Sequence, residues 1–255
     1  PTRYLWDYTH KYIAELHYNK FLKKIVSLFL NYLRLWDRQS ADRVDFFIAN
    51  SKIVQKRIKK YYGRDSQVIY PPVDTDKISL ASGQGEYFLA GGRIVNYKRF
   101  DLIVEAFKKM GWSLKIFGDG VDLSRLKKMA DGFDNIEFLG RISEAEKIEL
   151  YQGAKAFINP QEEDFGITVV EAMAAGRPVI AYAKGGAMET VVDGQTGLFF
   201  SEQTVESLVN ALERFKDYQF DALAIRQRAE EFSRQNFEQQ FKAFVEKSLL
   251  EFKNQ

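Results

Sequence analysis

The chain has 255 residues, 45% of them apolar, which is enough for one large or two modest domains with buried cores and excludes a disordered tail. Lys and Arg number 37 against 35 Asp and Glu, so the net charge of +2 gives no global case for nucleic acid, and no nucleic-acid partner is expected. Cysteine is absent, which rules out disulfides and thiolate metal sites and fits a reducing compartment; with two His, any zinc cage would lean on carboxylates. No uninterrupted apolar run of about 18 residues and no signal-peptide pattern is present, so a cytoplasmic protein is expected. Residue 1 is Pro rather than Met, and sequence upstream is expected.

Residues 18–36, "YNKFLKKIVSLFLNYLRLW", place Leu22, Ile25, Phe29, Tyr32 or Leu33, and Trp36 at helical spacing, with Lys20, Lys23, Lys24 and Arg34 between them. This is an amphipathic helix, expected to pack against a neighbouring helix or, as a basic amphipathic segment, to touch a membrane surface. "VDFFIANS" reads as a short buried strand, and "SKIVQKRIKKYYG" as a helix capped by Ser51 and ended by Gly63. With one strand among helices, residues 1–70 cannot make a sheet alone and read as the remnant of a further domain. Pro71 and Pro72 break regular structure, so a linker is predicted over 71–84.

From residue 86 strands and helices alternate: "EYFLAGG", "RFDLIVEAFKKM", "SLKIFG", "DLSRLKKMA", "NIEFLG", "SEAEKIELYQG", "AKAFINP", "GITVVEAMAAG" and "PVIAY". Short buried strands joined by helical crossovers predict an α/β, doubly wound parallel sheet over 85–232. After the turn and strand in "DGQTGLFF", residues 203–250 read as mostly helical, and 233–255 as a C-terminal helix.

In such a sheet, ligands bind outside the carboxyl ends of the strands. Four stretches fall there: "GGRIVNYKRF", "GDG", "GRIS" and "NPQEEDFG". Gly91 and Gly92 allow a tight turn that carries Arg93 and Lys98, either as solvated loop charges or as a fork and a point charge aimed at a diphosphate. Gly118, Asp119 and Gly120 lack the third glycine of a dinucleotide fingerprint and follow the second strand rather than the first, so they read as a tight turn facing a ligand. Near Gly166 to Thr168 a helix N-terminus offers unpaired N–H groups to an anion. Glu171 lies too far into that helix to serve its dipole. It is either an ordinary exposed residue or an inward acid that wants hydroxyls or a cation, and one carboxylate can accept from both hydroxyls of a vicinal diol. With Glu163 at the opposite end, the set suits hydroxyls, then a diphosphate, then hydroxyls again, as in a nucleotide sugar.

These residues resemble a known family. "EEDFGITVVEAMAAGRPVIA" with "GGRIVNYKRFDLIVEAF", "IFGDG" and "GLFF" is similar to the donor domain of retaining family-4 (group 1) glycosyltransferases of the GT-B fold, and Glu163 and Glu171 match the family's Glu-x7-Glu signature. "RYLWD", "LRLWDRQSADRVDFFIANS" and "VIYPPVDTD" resemble a mannosyltransferase-like branch, and "EFSRQNFEQQFKAFVEKSLLEF" resembles the helix that returns to the first domain. The resemblance implies two Rossmann-like domains across a cleft and transfer of a hexose, with retention, from a nucleotide-diphosphate sugar to an acceptor hydroxyl. Arg93 and Lys98 would hold the diphosphate and Glu163 the sugar hydroxyls, these three being the catalytic candidates. Phe165, Gly166 and Ile167 would offer backbone N–H groups; Glu171 would bind the ribose; Arg141 and Ile142 would lie beside the base. Gly92, Gly118, Asp119 and Gly120 complete the expected donor site. No cofactor and no metal is expected, the nucleotide sugar being a substrate. GDP-mannose is the favoured donor with UDP-sugars next, and a glycan or lipid-linked acceptor is favoured, with peripheral contact at the inner face of a membrane through residues 18–36.

Family members carry further sequence ahead of "RYLWD" that supplies most of a first-domain sheet, a glycine-rich loop and acceptor contacts. The chain is therefore expected to be a truncated transferase whose donor half folds, with apolar surface on residues 12–60 left bare. Both walls of a cleft are needed for positioning, so donor binding by this chain alone does not ensure transfer. A non-catalytic nucleotide-sugar-binding module is the main rival. A sugar phosphorylase would need a Lys holding pyridoxal phosphate, which no context favours, and a dehydrogenase would need the missing glycine fingerprint.

Overall fold

The computed structural model describes residues 1–9, 13, 19–83 and 85–254. Residues 12 and 14–18, Gln84 and Gln255, at the edges of segments predicted above, lie outside the described residues. The chain divides into two compact units, one of residues 1–69 with 245–255 and one of residues 70–244.

The first unit holds α1 (Arg3–Trp6), α2 (Lys20–Ala41), β1 (Ile48–Ala49), α3 (Lys52–Tyr62) and β2 (Gln67–Val68). Asn19 accepts from Leu22 N to start α2, Ser51 accepts from Val54 N to start α3, and Gly63 at φ 69° ends α3. The strand expected over "VDFFIANS" is only two residues long, and it does have a partner: Ile48 and Ala49 pair in parallel with Gln67 and Val68. The small core gathers Ala41, Ala49, Ile58 and Tyr62 around Trp6 and Phe47. Asp37 of α2 accepts from Trp6 Nε1 and Tyr62 Oη, both at 2.7 Å, and buried Arg57 pairs with Asp7 at 2.6 Å. These contacts use the face of α2 that carries Leu30, Asp37 and Ala41. Among the described residues nothing covers most of the predicted apolar stripe: Leu22, Ile25, Phe29, Tyr32 and Trp36 are exposed, and Leu33 is half-buried.

In the second unit six parallel strands take the order β5-β4-β3-β6-β7-β8: β3 (Tyr87–Gly91), β4 (Leu114–Phe117), β5 (Ile136–Gly140), β6 (Ala154–Asn159), β7 (Val179–Tyr182) and β8 (Gly197–Phe200). The helices are α4 (Phe100–Met110), α5 (Leu123–Met129), α6 (Glu144–Gly153), α7 (Ile167–Ala174), α8 (Ala187–Thr190), α9 (Val205–Phe215) and α10 (Ala222–Glu230). α11 (Arg234–Lys253) begins in this unit and ends among residues assigned to the first. Alternation along each strand builds one core per face. Tyr87, Leu89, Phe157, Val179 and Ala181 meet α6, α7 and α10, while Phe88, Ala90, Ile116, Ile158 and Ile180 meet α4, α5 and α9.

Residues 71–84, predicted as a linker, are fastened to this second unit. Val73 N donates to Phe232 O and Arg234 N to Val73 O, each at 3.0 Å, and Ala81 N reaches Ala175 O at 3.0 Å. Arg226 clasps the Ile78 and Ala174 carbonyls. The unit therefore begins at Tyr70 and runs to Phe244, where the sequence placed 85–232.

Candidate functional site

β3 is followed in space by β4 on one side and β6 on the other, so the direction of winding reverses between β3 and β6. At such a switch point the loops leaving the two strands part and open a crevice at their carboxyl ends. The loop after β3 carries Arg93 and Lys98; the loop after β6 carries Glu163. Across this point Lys98 Nζ lies 2.7 Å from Glu163 Oε1, with side chains only 13% and 17% exposed. Lys98 is thus a half-buried, paired cation rather than a solvated loop charge. Arg93 is exposed and donates from Nη2 to Tyr97 Oη at 3.1 Å; that bond, and beyond it the Glu163 charge, raise its pKa further. Tyr97 carried no sequence signal, since one aromatic residue in a polar loop has no period.

The glycines bring the rim together. A Cβ on Gly118, at φ 117°, would sit 1.8 Å from Gly92 O, and one on Gly120 would sit 2.0 Å from Ile94 O, so the loops after β3 and β4 approach as closely as glycine allows. Gly92 N donates to Phe117 O at 3.1 Å, Ile94 N to Asp119 O at 2.9 Å and Gly118 N to Gly140 O at 2.6 Å, which stitches in the end of β5. Asp119 accepts from Gly120 N at 2.7 Å and pairs with exposed Arg141 at 2.9 Å, while Ile142 next to Arg141 is half-buried against the core.

Gly166, at φ 91°, begins α7 without a side-chain cap, which leaves first-turn N–H groups available at the helix's positive end. Ile167 is exposed there. The Phe165 ring is buried between Tyr70 and Phe232, at 5.7 and 5.6 Å, so only its backbone can face a ligand. Gly185 and Gly186 back this loop: Gly186 N donates to Glu163 O at 2.8 Å, and a Cβ on Gly186 would meet Phe165 Cα at 2.4 Å. This pair escaped the sequence reading, although "KGG" after a strand is the signal that marks it. Asn159 Oδ1 and Gln161 Oε1, at the end of β6 and just beyond it, are buried without a hydrogen-bond partner.

Glu171 is not an ordinary exposed helical residue, since its side chain is 14% exposed. Its inward acid already has a cation and a hydroxyl from the protein: Lys147 Nζ lies 3.0 Å from Oε1, and Tyr151 donates to Oε2 at 2.9 Å. Both come from α6, whose Ser143–Glu146 capping box fixes the helix start right after Arg141 and Ile142. The arrangement thus offers the Arg93 and Lys98 cations, a helix terminus and the Glu163 and Glu171 carboxylates around loops held together by backbone contacts. Among the described residues no three His, Asp or Glu are grouped as a metal cage requires.

The model of the family described as glycosyl transferases group 1 matches residues 73–236, well over half of the chain. The chain belongs to this family. The matched span contains every residue of the rim described above. An uncharacterized glycosyltransferase of Methanocaldococcus jannaschii is 28% identical over 69% of this chain and 50% of its own length. The phosphatidyl-myo-inositol mannosyltransferase of Mycobacterium leprae is 28% identical over 78% and 56%, and an alpha-1,3/1,6-mannosyltransferase of Dictyostelium discoideum 33% identical over 56% and 40%. The chain spans about half the length of these curated relatives. Among solved structures, sucrose-phosphate synthase from Thermosynechococcus elongatus superposes with a TM-score of 0.75 at 20% identity, over 85% of this chain and 61% of that one. Anabaena HepE in complex with UDP and glucose gives 0.70 at 21%, over 80% and 63%. This group 1 glycosyltransferase chain therefore has the GT-B type of α/β fold, and among the described residues no helix is long and apolar enough to cross a membrane.

Proposed function

We propose that this chain forms the donor side of a retaining hexosyltransferase that moves mannose from a nucleotide-diphosphate sugar, GDP-mannose foremost, to a hydroxyl of a glycan or lipid-linked acceptor. The observation that carries this reading is the Lys98–Glu163 contact at the switch point, because it sets a half-buried cation and a carboxylate side by side at the mouth of the sheet. A donor offers both complements: its diphosphate takes Lys98 and Arg93, and its sugar hydroxyls donate to the Glu163 carboxylate that Lys98 releases. As the bond from the anomeric carbon to the phosphate oxygen breaks, negative charge builds on the departing nucleoside diphosphate. Lys98, Arg93 and the first-turn N–H groups of α7 are fixed around that charge in advance, which is the electrostatic part of catalysis. Backbone N–H groups of Phe165, Gly166 and Ile167 line the sugar and phosphate, Gly92, Gly118 and Gly120 let the backbone come close, and Asp119, Arg141 and Ile142 stand beside the base. With these cations present no divalent metal is required.

Mannose is favoured because relatives of this chain include enzymes named as mannosyltransferases, and UDP-sugars rank next because a structural neighbour holds UDP and glucose. On the acceptor side, residues 16–36 contain no acid, and the bare apolar face of α2 lies among basic residues, a combination that suits an anionic membrane surface. Co-sedimentation with anionic vesicles that Phe29→Glu leaves unchanged would remove that contact.

The donor reading is tested by thermal shift with GDP-, UDP- and ADP-sugars, with and without a chelator. At 100 times Kd a bound donor stabilises by about 2.7 kcal/mol, a rise in Tm of several degrees. GDP-mannose is expected to give it with chelator present, and Lys98→Ala to abolish it; no rise with any sugar refutes the donor site. A second reading is a nucleotide-sugar-binding module without transfer. A shift without turnover in a transfer assay selects it.

A further inference from the structure

Spacing marks Glu171 as a site residue but is silent on what fixes its side chain. Lys147 and Tyr151 lie four residues apart, on one face of α6, and each takes a different oxygen of the Glu171 carboxylate, Oε1 at 3.0 Å and Oε2 at 2.9 Å. Tyr151 is fully buried, its ring set edge-on to Phe117 and Phe157 at 6.1 and 5.7 Å, so its hydroxyl has one place to point. Burial, and then the Glu171 charge, push the phenol well above its ordinary range, so it remains a donor. For Lys147, burial alone would lower the pKa; the hydrogen bond to Glu144 and the charge of Glu171 outweigh it, and the ammonium is held above its ordinary value.

A carboxylate has about four lone-pair sites on its two oxygens. Lys147 and Tyr151 occupy one site on each oxygen, leaving one on each, and a vicinal diol presents two donors at matching spacing. We infer that Lys147 and Tyr151 are positioning residues that hold the Glu171 carboxylate in the single orientation from which it accepts both hydroxyls of the donor's ribose. This rests on the donor-site reading proposed above. The clasp links two parts of the donor, because α6 starts directly after the loop that carries Arg141 and Ile142. Base and ribose contacts are therefore set by one rigid helix, with Glu144, the other carboxylate on Lys147 at 2.8 Å, 86% exposed at its first turn.

The test is calorimetric titration of GDP and UDP against their 2′,3′-dideoxy counterparts, since the ratio of the two affinities reads the ribose hydroxyls alone. In the wild-type protein the ribonucleotide of the preferred base is expected to bind about tenfold or more tighter. In Tyr151→Phe and Lys147→Gln that ratio is expected to fall to about twofold or less, with dideoxynucleotide affinity within about twofold of wild type, and Lys147→Arg should recover part of it. A merely structural role for the pair would weaken both nucleotides equally and leave the ratio standing. If the wild-type protein binds neither nucleoside diphosphate, the donor site and the clasp both fall. If it binds and discriminates, and the variants keep the full ratio, the clasp alone is overturned. Should Tyr151→Phe fail to fold, Lys147→Gln, at a half-buried position, carries the same prediction.

Discussion

α4 in the second unit and α2 in the first are written in the same code, an apolar stripe at helical spacing with charged residues between, yet they end in opposite states. Phe100, Ile103, Val104 and Phe107 of α4 are buried, the last three completely, whereas Phe21 and Phe29 of α2 are 74% and 58% exposed. A period of 3.6 says which face of a helix is apolar, not what covers it. The second unit provides the cover in a sheet whose strands are buried on both sides. The first unit offers a parallel ladder of two residues per strand, too small a surface to receive a long helix. The largest expected effect follows. Phe107→Ala should cost about 3–5 kcal/mol and lower Tm on the order of 10 °C, by lost transfer energy and an unfilled cavity. Phe29→Ala should change stability by less than about 0.5 kcal/mol. Equal losses in a thermal melt would break the contrast and show that α2 is covered after all.

The same contrast explains how much could be read from the sequence. In residues 86–200 the alternation of short strands and amphipathic helices is local, so nine elements could be located to within a residue or two and the parallel sheet inferred from their order. Glycine punctuation placed Gly92, Gly118 and Gly166 correctly in turns, because a left-handed or crowded backbone is a property of the residue itself. Lys98 and Glu163 could be named by position, while their 2.7 Å contact depends on which strands are neighbours, and strand order is not local information. Tyr151 shows the limit most clearly. In "SEAEKIELYQG" it reads as one more apolar residue of a core-facing helix, and only its place against Glu171 gives its hydroxyl a task. The two prolines misled in the other direction. Pro71 and Pro72 do interrupt regular structure, but a chain without helix or strand can still be pinned by its backbone, as Val73 is between Phe232 and Arg234.

That pinning gives the smallest effect and a finer version of the contrast, since it asks to which unit residues 70–84 belong energetically. Asp74 pairs with Arg234 at 2.6 Å and with Lys77 at 2.7 Å, joining the stretch predicted as a linker to the start of α11. The hydrogen bonds from Arg234 and Lys77 pull its carboxyl down to about 2. A carboxylate with a depressed folded-state pKa adds stability above its unfolded value, near 4, and that stability disappears as pH falls toward the folded value. The pair is on the surface, so its worth is at most about 1 kcal/mol, or about 2–4 °C in Tm. Asp74→Asn should therefore melt a few degrees below wild type from pH 5 to 8, with the gap narrowing from about pH 4 and closing only as pH falls to about 2, the folded-state value, and shrinking in high salt. A gap that keeps its full size as pH falls to about 2 would mean the variant disturbs the backbone bridge at Val73 instead of the charge pair. No gap at any pH would mean that the Asp74 charge pair adds nothing to the hold that the Val73 and Ala81 backbone bonds and Arg226 already give this stretch.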